Sequence, residues 1–465
     1  MTRTFASLDH HNYRLWFAGG LVTNIGTWMQ RIAQDWLVLT GLTNDSGLAV
    51  GIVTGLQFAP TLFLTPYAGL LADRVDRRTL LIATNTALGL IALALGVLVL
   101  TDVAQLWHVY VLATLLGVAA AFDNPVRQTF VAELVPPEAL PNAVGLNGAN
   151  FNTARLIGPA TAGVLITLVG PGWVFILNAV SFIAPIVALM AMRRDELYVL
   201  PHAGRGRGQL REGFAYVRRR TDILVIMGIM AVVGALGLNF QLTSAVMARE
   251  VFDRGPGEYG ILGSVMAIGA VAGALLAARR RRPQVRLVIA AAFGFGVSLT
   301  LSAVLTSFWA YAASGVLVGF SATTMMNSAN SALQLSTAPE VRGRVMSLYM
   351  LVFLGTTPIG SPFVGWIAET YGARWSVAVG GIASMVAAAV AALWARSHWH
   401  VEVRYIPRRY PFFRVTGPAE RGEADPEGPN ATAGSAVTSD AAPGATGPLS
   451  PAEGPASPPP SPRTP

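Results

Sequence analysis

The chain has 465 residues, a length that would ordinarily give about three soluble domains, yet 53% of it is apolar, a further 48 residues are glycine and only 12% is charged. Soluble chains carry roughly 25% charged residues; with a mean hydropathy of +0.50 residues 1–395 need lipid as solvent, which excludes a disordered, collagen-like or ordinary soluble protein. The net charge of +8 comes from 33 basic residues, all of them arginine, and there is no cysteine, so disulfides, thiolate nucleophiles, Walker A lysines and Schiff-base lysines are absent.

Runs of about 20 apolar residues cross a bilayer as helix. Twelve are predicted, at 13–38, 47–72, 79–101, 106–124, 143–169, 173–192, 222–248, 259–278, 286–306, 309–333, 345–369 and 374–395. Met1–Tyr13 is polar and the first run is too long for a signal-peptide core, so no cleaved leader is expected. With both termini in the cytoplasm, 21 arginines of residues 1–395 fall in or beside cytoplasmic segments, three (Arg249, Arg254, Arg374) fall outside, and two (Arg31, Arg155) lie within spans. The positive-inside bias therefore selects that orientation. Trp107, Trp173, Trp309 and Trp375 each begin a span predicted to start at the outer face, as interfacial anchors do.

In span one, Arg31 and Asp35 stand one helical turn apart, with Gln34 beside them. Asp35 is near the C-terminal end of its helix, where the dipole disfavours an anion, so a cation is expected close by and Arg31 supplies one. The pair reads either as a proton site or as a static ion pair at the headgroup boundary. In span five, Arg155 sits near mid-depth and shares a face with Asn147, Phe151 and Gly158. An unpaired guanidinium there costs about 3 kcal/mol or more. It either faces a watery cavity, with a substrate or gating role, or bonds amides and carbonyls as a structural hub. Gly158-Pro159, with Gly163 a turn later, removes one backbone hydrogen bond and permits close packing. A kink that lets the outer helix ends close and plain small-residue packing both fit.

Met192–Thr221 carries eight arginines and the tract Gly204–Gly208, and it reads as a cytoplasmic linker on the anionic inner leaflet. The expected organisation is residues 1–192 as one six-helix half, 193–221 as linker, 222–395 as the second half and 396–465 as a cytoplasmic tail. Asn239 and Gln241 of span seven, and Asn327, Asn330, Ser331 and Gln334 at helical spacing on span ten, form a cavity wall or interhelical glue. Beyond Phe413 there is no aromatic residue, and a Pro/Gly/Ala/Ser/Thr-rich tail is expected to be largely disordered. Ala68–Arg78 is echoed by Ala272–Arg282, and Gly158-Pro159 by Pro358-Ile359-Gly360. Duplicated halves put a site at their interface near mid-membrane. The six histidines lack the i, i+4 spacing of a helical zinc pair, so no metal is expected.

Gly69-Leu-Leu-Ala-Asp73-Arg74-Val-Asp-Arg77-Arg78 resembles the span 2–3 loop signature of the major facilitator superfamily. Ala154-Arg-Leu-Ile-Gly158-Pro159-Ala-Thr-Ala-Gly163 is similar to the span-five motif of its proton-driven antiporters. Asn12-Tyr-Arg-Leu-Trp16, Asp123-Asn-Pro-Val-Arg127-Gln-Thr-Phe and Pro339-Glu-Val-Arg-Gly-Arg344-Val-Met-Ser-Leu-Tyr349 resemble its drug, macrolide and siderophore exporters. The likeness covers residues 10–395. It implies an all-α membrane protein with twelve transmembrane helices in two pseudo-symmetric six-helix halves. It also implies secondary active export of a small amphipathic compound by proton antiport with alternating access.

On that resemblance, Asp73 would sit against the start of span eleven near Arg344, and Arg77 or Arg78 would pair with Asp123. The result is a latch closed in the outward-open state; positive-inside topology alone explains the arginines but not Asp73. Ala277 replaces Asp73 in the second copy, so its latch is degenerate. The arginine that many antiporters of the family carry in span four has no counterpart in Trp107–Phe122. An importer or uniporter on the same fold is the main alternative. A polytopic membrane transferase would have only Asp73 and Asp76 as a close carboxylate pair at a span end. The implied partners are a small-molecule substrate, the lipid bilayer and protons, with no nucleic acid and no cofactor. The implied setting is a monomer in the bacterial cell membrane, both termini cytoplasmic.

Overall fold

In lipid every backbone polar group needs an internal partner, and for single apolar runs only a helix provides it. The computed structural model describes residues 3–72, 75–198, 209–278, 285–399, 402–405 and 413–416. It is built from α1 (His11–Trp36), continued by a wide turn over Leu37–Leu42, then α2 (Gly47–Ala72), α3 (Arg77–Leu100), α4 (Leu106–Phe130) and α5 (Leu140–Val169). α6 (Pro171–Ser181) and α7 (Ile183–Ala191) make the sixth column, and α8 (Gln209–Arg219) lies in the linker. α9 (Thr221–Val232) and α10 (Phe240–Val246) make the seventh, followed by α11 (Pro256–Ala278), α12 (Val285–Val304) and α13 (Phe308–Ser336). α14 (Pro339–Gly355) and α15 (Thr357–Tyr371) form the eleventh column and α16 (Ala373–Trp399) the twelfth.

Among the described residues, ten of these columns are long and apolar enough to cross a membrane. The other two long columns, α1 and α13, are the ones that carry Gln30, Arg31, Gln34 and Asp35, and Asn327, Asn330 and Gln334. α4 runs past Asn124-Pro125, where the sequence predicts its end. The extra turn sets Arg127 one turn from Asp123 and buries Phe130 edge-on against Trp16 at 5.4 Å. Columns seven and eleven are each broken, and the breaks meet: a methyl on Gly234 would lie 2.9 Å from Thr356 Oγ1, and just beyond, Ser361 of α15 donates a hydrogen bond to Asn239.

The chain divides by its contacts into two units, 1–397 and 398–465. In the second, Glu402–Tyr405 and Phe413–Thr416 pair as antiparallel strands, β1 and β2, with Tyr405 opposite Phe413. This departs from the expected disorder at the start of the tail: Val403, Tyr405, Phe413 and Val415 alternate with polar residues, a β-forming pattern. The rest of the expected disorder, like the tract Gly204–Gly208 and Arg279–Arg282, lies outside the described residues.

Within the first unit, α1 packs on α5, α6 and α7, α2 on α4, and α3 on α4 and α6; α13 packs on α11 and α12. Two seams join the first six columns to the last six, α2 against α15 and α5 against α11. Both seams are tight at the arginine-poor face. A methyl group on Gly163 would lie 2.6 Å from the Pro256 carbonyl oxygen, and one on Gly47 would lie 3.0 Å from Ala368 Cβ. Ser46 Oγ donates to Glu369 at 2.8 Å, and Arg249 pairs with Asp45 at 3.2 Å. Five helical turns from Gly163, on the same face of α5, Gly145 has nothing within 4 Å, and neither does Gly148. The α5 face is thus sealed at one end and open toward the arginine-rich face.

Candidate functional site

Where α1, α5, α10 and α11 meet, polar side chains are held inside an apolar seam. Asp35, in the last turn of α1, is only 7% exposed, and Tyr259 of α11 is buried beside it at 1%. Tyr259 Oη lies 3.1 Å from Asp35 Oδ2 and 3.2 Å from the Gln241 carbonyl oxygen. One hydroxyl hydrogen therefore faces two acceptors. The Trp36 ring stacks on Tyr259 with centroids 6.0 Å apart, which fixes the phenol.

The expected Arg31–Asp35 ion pair does not form. Although one turn apart, the carboxylate turns to α11 while the Arg31 guanidinium lies 5.1 Å over the Trp28 ring and 5.9 Å over Phe58. Cation–π contact of this kind compensates part of the desolvation that the ion pair would have relieved. Trp28 receives a second cation, Arg155, at 5.8 Å. Arg155 Nε is buried without a hydrogen bond, as is Gln241 Nε2. Ser244 Oγ, 1% exposed by residue, faces Tyr311 without a hydrogen bond of regular geometry. Trp28, Arg155, Pro159, Gln241, Ser244 and Tyr259 line one narrow, partly open pocket.

Gly158 lets α5 close on α1; a methyl there would lie 2.5 Å from Trp28 Cβ. Pro159 has no N–H, and α5 nonetheless continues without a break to Val169. Ser264 of α11 enters the ladder beside it: its hydroxyl accepts from Ala160 N–H at 3.2 Å and donates to the Leu156 carbonyl at 2.6 Å. The Gly-Pro segment is therefore where the second set of columns is bonded into α5.

At the arginine-rich face, Gly69 lies in the last turn of α2, and Asp73 and Arg74 lie outside the described residues. The expected pairing of Arg77 or Arg78 with Asp123 is absent in this conformation. Arg77 pairs with Glu133. Arg78 donates to the Leu189 and Met190 carbonyls at 2.6 and 2.9 Å, capping the negative end of α7. Asp123 is taken by Arg127 at 2.7 Å and by Thr84 and Asn85, because the lengthened α4 brings Arg127 onto its side. Asp76 caps α3, accepting from Thr79 N–H and Oγ1 at 3.1 and 2.7 Å. Partial burial pushes its pKa up, but the Thr79 hydrogen bonds and the charges of Arg194 and Arg78 outweigh this and hold it below the usual carboxylate range.

The remaining candidates are elsewhere. Asn147 accepts from Tyr13 at 3.3 Å, Asn239 bonds Ala235 and Ser361, and Gln334 donates to Asn330. None of these, nor Asn327, lines the pocket. The pocket residues Trp28, Ser244 and Tyr259, and the helix-bridging Ser264, are not among the residues that the sequence singles out. Tyr259 and Ser264 fall five residues apart in an otherwise apolar run, and that polar spacing is the one signal that could have found them.

Comparison with known proteins follows the same lines. A family described as transmembrane secretion effector, within the major facilitator superfamily, matches residues 2–409. The chain is 24% identical to the staphyloferrin A transporter of Staphylococcus aureus over 80% of this chain and 93% of that one. It is 27% identical to the multidrug efflux pump Tap of Mycolicibacterium fortuitum, covering 76% and 88% respectively. A bacterial homologue of the iron transporter ferroportin, solved in an inward-facing state, superposes with a TM-score of 0.65 at 17% identity over 83% of this chain and 98% of that one. The chain belongs to the transmembrane secretion effector family of major facilitator transporters: it is a multi-pass membrane transporter of small molecules, not an enzyme.

Proposed function

We propose that this transporter exports a small amphipathic compound across the bacterial plasma membrane by alternating access, in exchange for protons carried at Asp35. The positive-inside bias assigns the arginine-rich face, and both termini, to the cytoplasm. The tight seams then lie at the outside, and the open α5 face looks into the cell.

The observation that carries the proton reading is the Tyr259 hydroxyl between two acceptors. With Asp35 ionised, the single hydrogen goes to the carboxylate and the Gln241 carbonyl receives none from it. With Asp35 protonated, the carboxyl donates to Tyr259 Oη and the phenol donates to Gln241, so both bonds form. A proton taken up from outside thus favours closing of the outer seam. Its loss to the cytoplasm weakens the seam and favours reopening once substrate is aboard. The efflux and siderophore relatives are consistent with export.

The test is uptake of a panel of amphipathic anions, neutral compounds and cations into proteoliposomes with an imposed interior-acid gradient, scored on whichever member the wild type accumulates. The expected result is accumulation by the wild type, abolished by Asp35→Asn while downhill exchange persists. Accumulation at the wild-type rate by Asp35→Asn would overturn the proton assignment.

A further inference from the structure

The Trp28 ring, one wall of the pocket, meets more positive charge than the protein answers: Arg155 lines the pocket and Arg31 lies over the same ring. Arg31 and Arg155 both point at one indole, at 5.1 and 5.8 Å, and neither forms an ion pair among the described residues. The only carboxylate close by in sequence, Asp35, is engaged by Tyr259. Two guanidinium groups inside a membrane protein without anionic partners are expensive, and buried donors without acceptors add to that cost. Arg155 Nε and Gln241 Nε2 are two such donors, from different halves of the seam, and Ser244 Oγ adds a third polar atom. All three residues line the same pocket, whose other walls are the Trp28 ring, Pro159 and Met266.

The geometry points to a binding site for the carboxylate of an amphipathic anion, held by Arg155 and Gln241 with its apolar part against Trp28. This deepens the export reading and rests on it: the substrate class is an organic acid rather than a neutral or cationic drug. Guanidinium–carboxylate bonds are among the strongest neutral-pH recognition contacts, and closing the seam around them brings donors from α5 and α10 onto one ligand. An anion here also answers the repulsion between Arg31 and Arg155.

The test uses the full chain in nonionic detergent and two matched probes, 1-naphthaleneacetate and its neutral amide, with affinities measured by equilibrium dialysis. The wild type is expected to prefer the acid at least tenfold. In Arg155→Gln, the preference should fall to within twofold. Arg31→Gln, in which the second guanidinium is removed, should lose at least threefold, so the site stays testable even where Arg155→Gln fails to fold. Equal binding of acid and amide by the wild type, or a preference that survives both substitutions in folded protein, overturns the site. Phosphatidylglycerol is the competing anion. If it displaces the acid in an Arg155-dependent way, the pocket holds a lipid headgroup and the substrate assignment falls; if it does not, the assignment stands. Binding in detergent needs no gradient. A lost acid preference therefore overturns the anion site alone, whereas lost gradient-driven uptake overturns the proton reading alone.

Discussion

Tyr259 shows how much one hydroxyl decides. In Tyr259→Phe, the ring still stacks on Trp36, but Asp35 and the Gln241 carbonyl both lose their shared donor. A buried acceptor left unpaired costs about 1–3 kcal/mol, so gradient-driven transport should fall roughly tenfold or more while protein yield and insertion hold. Transport at the wild-type rate in proteoliposomes would show that the contact is incidental. Asp76 makes a separate prediction. Asp76→Ala removes the cap of α3 and should cost about 1 kcal/mol at neutral pH, read as a lower melting temperature in detergent. The native pKa is depressed, so the stabilisation is present above the unfolded carboxylate pKa and disappears as pH falls through the folded one. Wild type and variant should therefore converge in acid, and a gap that stays constant down to about pH 3 would contradict the assignment. At this scale the sequence is an uneven guide. Asp35 and Arg155 are identifiable because charges within spans are rare, but the partner of Asp35 is not, since Tyr259 lies 224 positions away on another helix. Spacing of i, i+4 names Arg31 instead, and aromatic rings take that guanidinium.

At the scale of elements, α5 is the clearest case. Its Gly-Pro step marks the place where a neighbouring helix is bonded into the ladder through Ser264. Ser264→Ala leaves the bridged rung without its third partner at the point where the seam closes, and should shift the resting population away from the outward-sealed state. Accessibility of a thiol-reactive probe to a cysteine introduced in place of the buried Ile166, three residues beyond Gly163 on α5, compared with and without Ser264→Ala, measures this. An unchanged labelling rate would assign Ser264 to packing alone. The helices themselves are legible from apolar run length, to within a few residues at most ends. The exceptions have causes: Asn124-Pro125 reads as a stop, yet the Asp123–Arg127 pair and burial of Phe130 carry α4 beyond it. The break in column seven is only faintly marked, by Gly234 and Gly237 in an otherwise apolar run, whereas that in column eleven carries Pro358 in the first turn of α15.

For the molecule as a whole, the duplicated sequence motifs lead to the expectation of two halves around a central site, and which end is closed only the contacts between α2 and α15 and between α5 and α11 reveal. A chain without cysteine permits a clean test. The methyl position at Gly47 falls 3.0 Å from Ala368 Cβ, near the roughly 3.5–4.5 Å that a disulfide spans. Oxidised Gly47→Cys/Ala368→Cys protein should lose transport completely and recover it on reduction. Persistent transport in the cross-linked protein would mean that this seam does not open during the cycle.

The twin guanidiniums beside Trp28 also make the carrier sensitive to voltage. A charge at a central site takes the potential of whichever compartment the site opens to, and one charge moved through 100 mV is worth about 2.3 kcal/mol. With Arg31 and Arg155 together exceeding the single carboxylate of Asp35, the empty site is cationic. An interior-negative membrane then draws the unloaded transporter toward the cytoplasm-open state, while an anionic passenger cancels part of that charge and loosens the hold. The membrane potential would thus return the empty carrier for its next load, and collapsing it with a potassium ionophore at constant pH gradient should slow turnover.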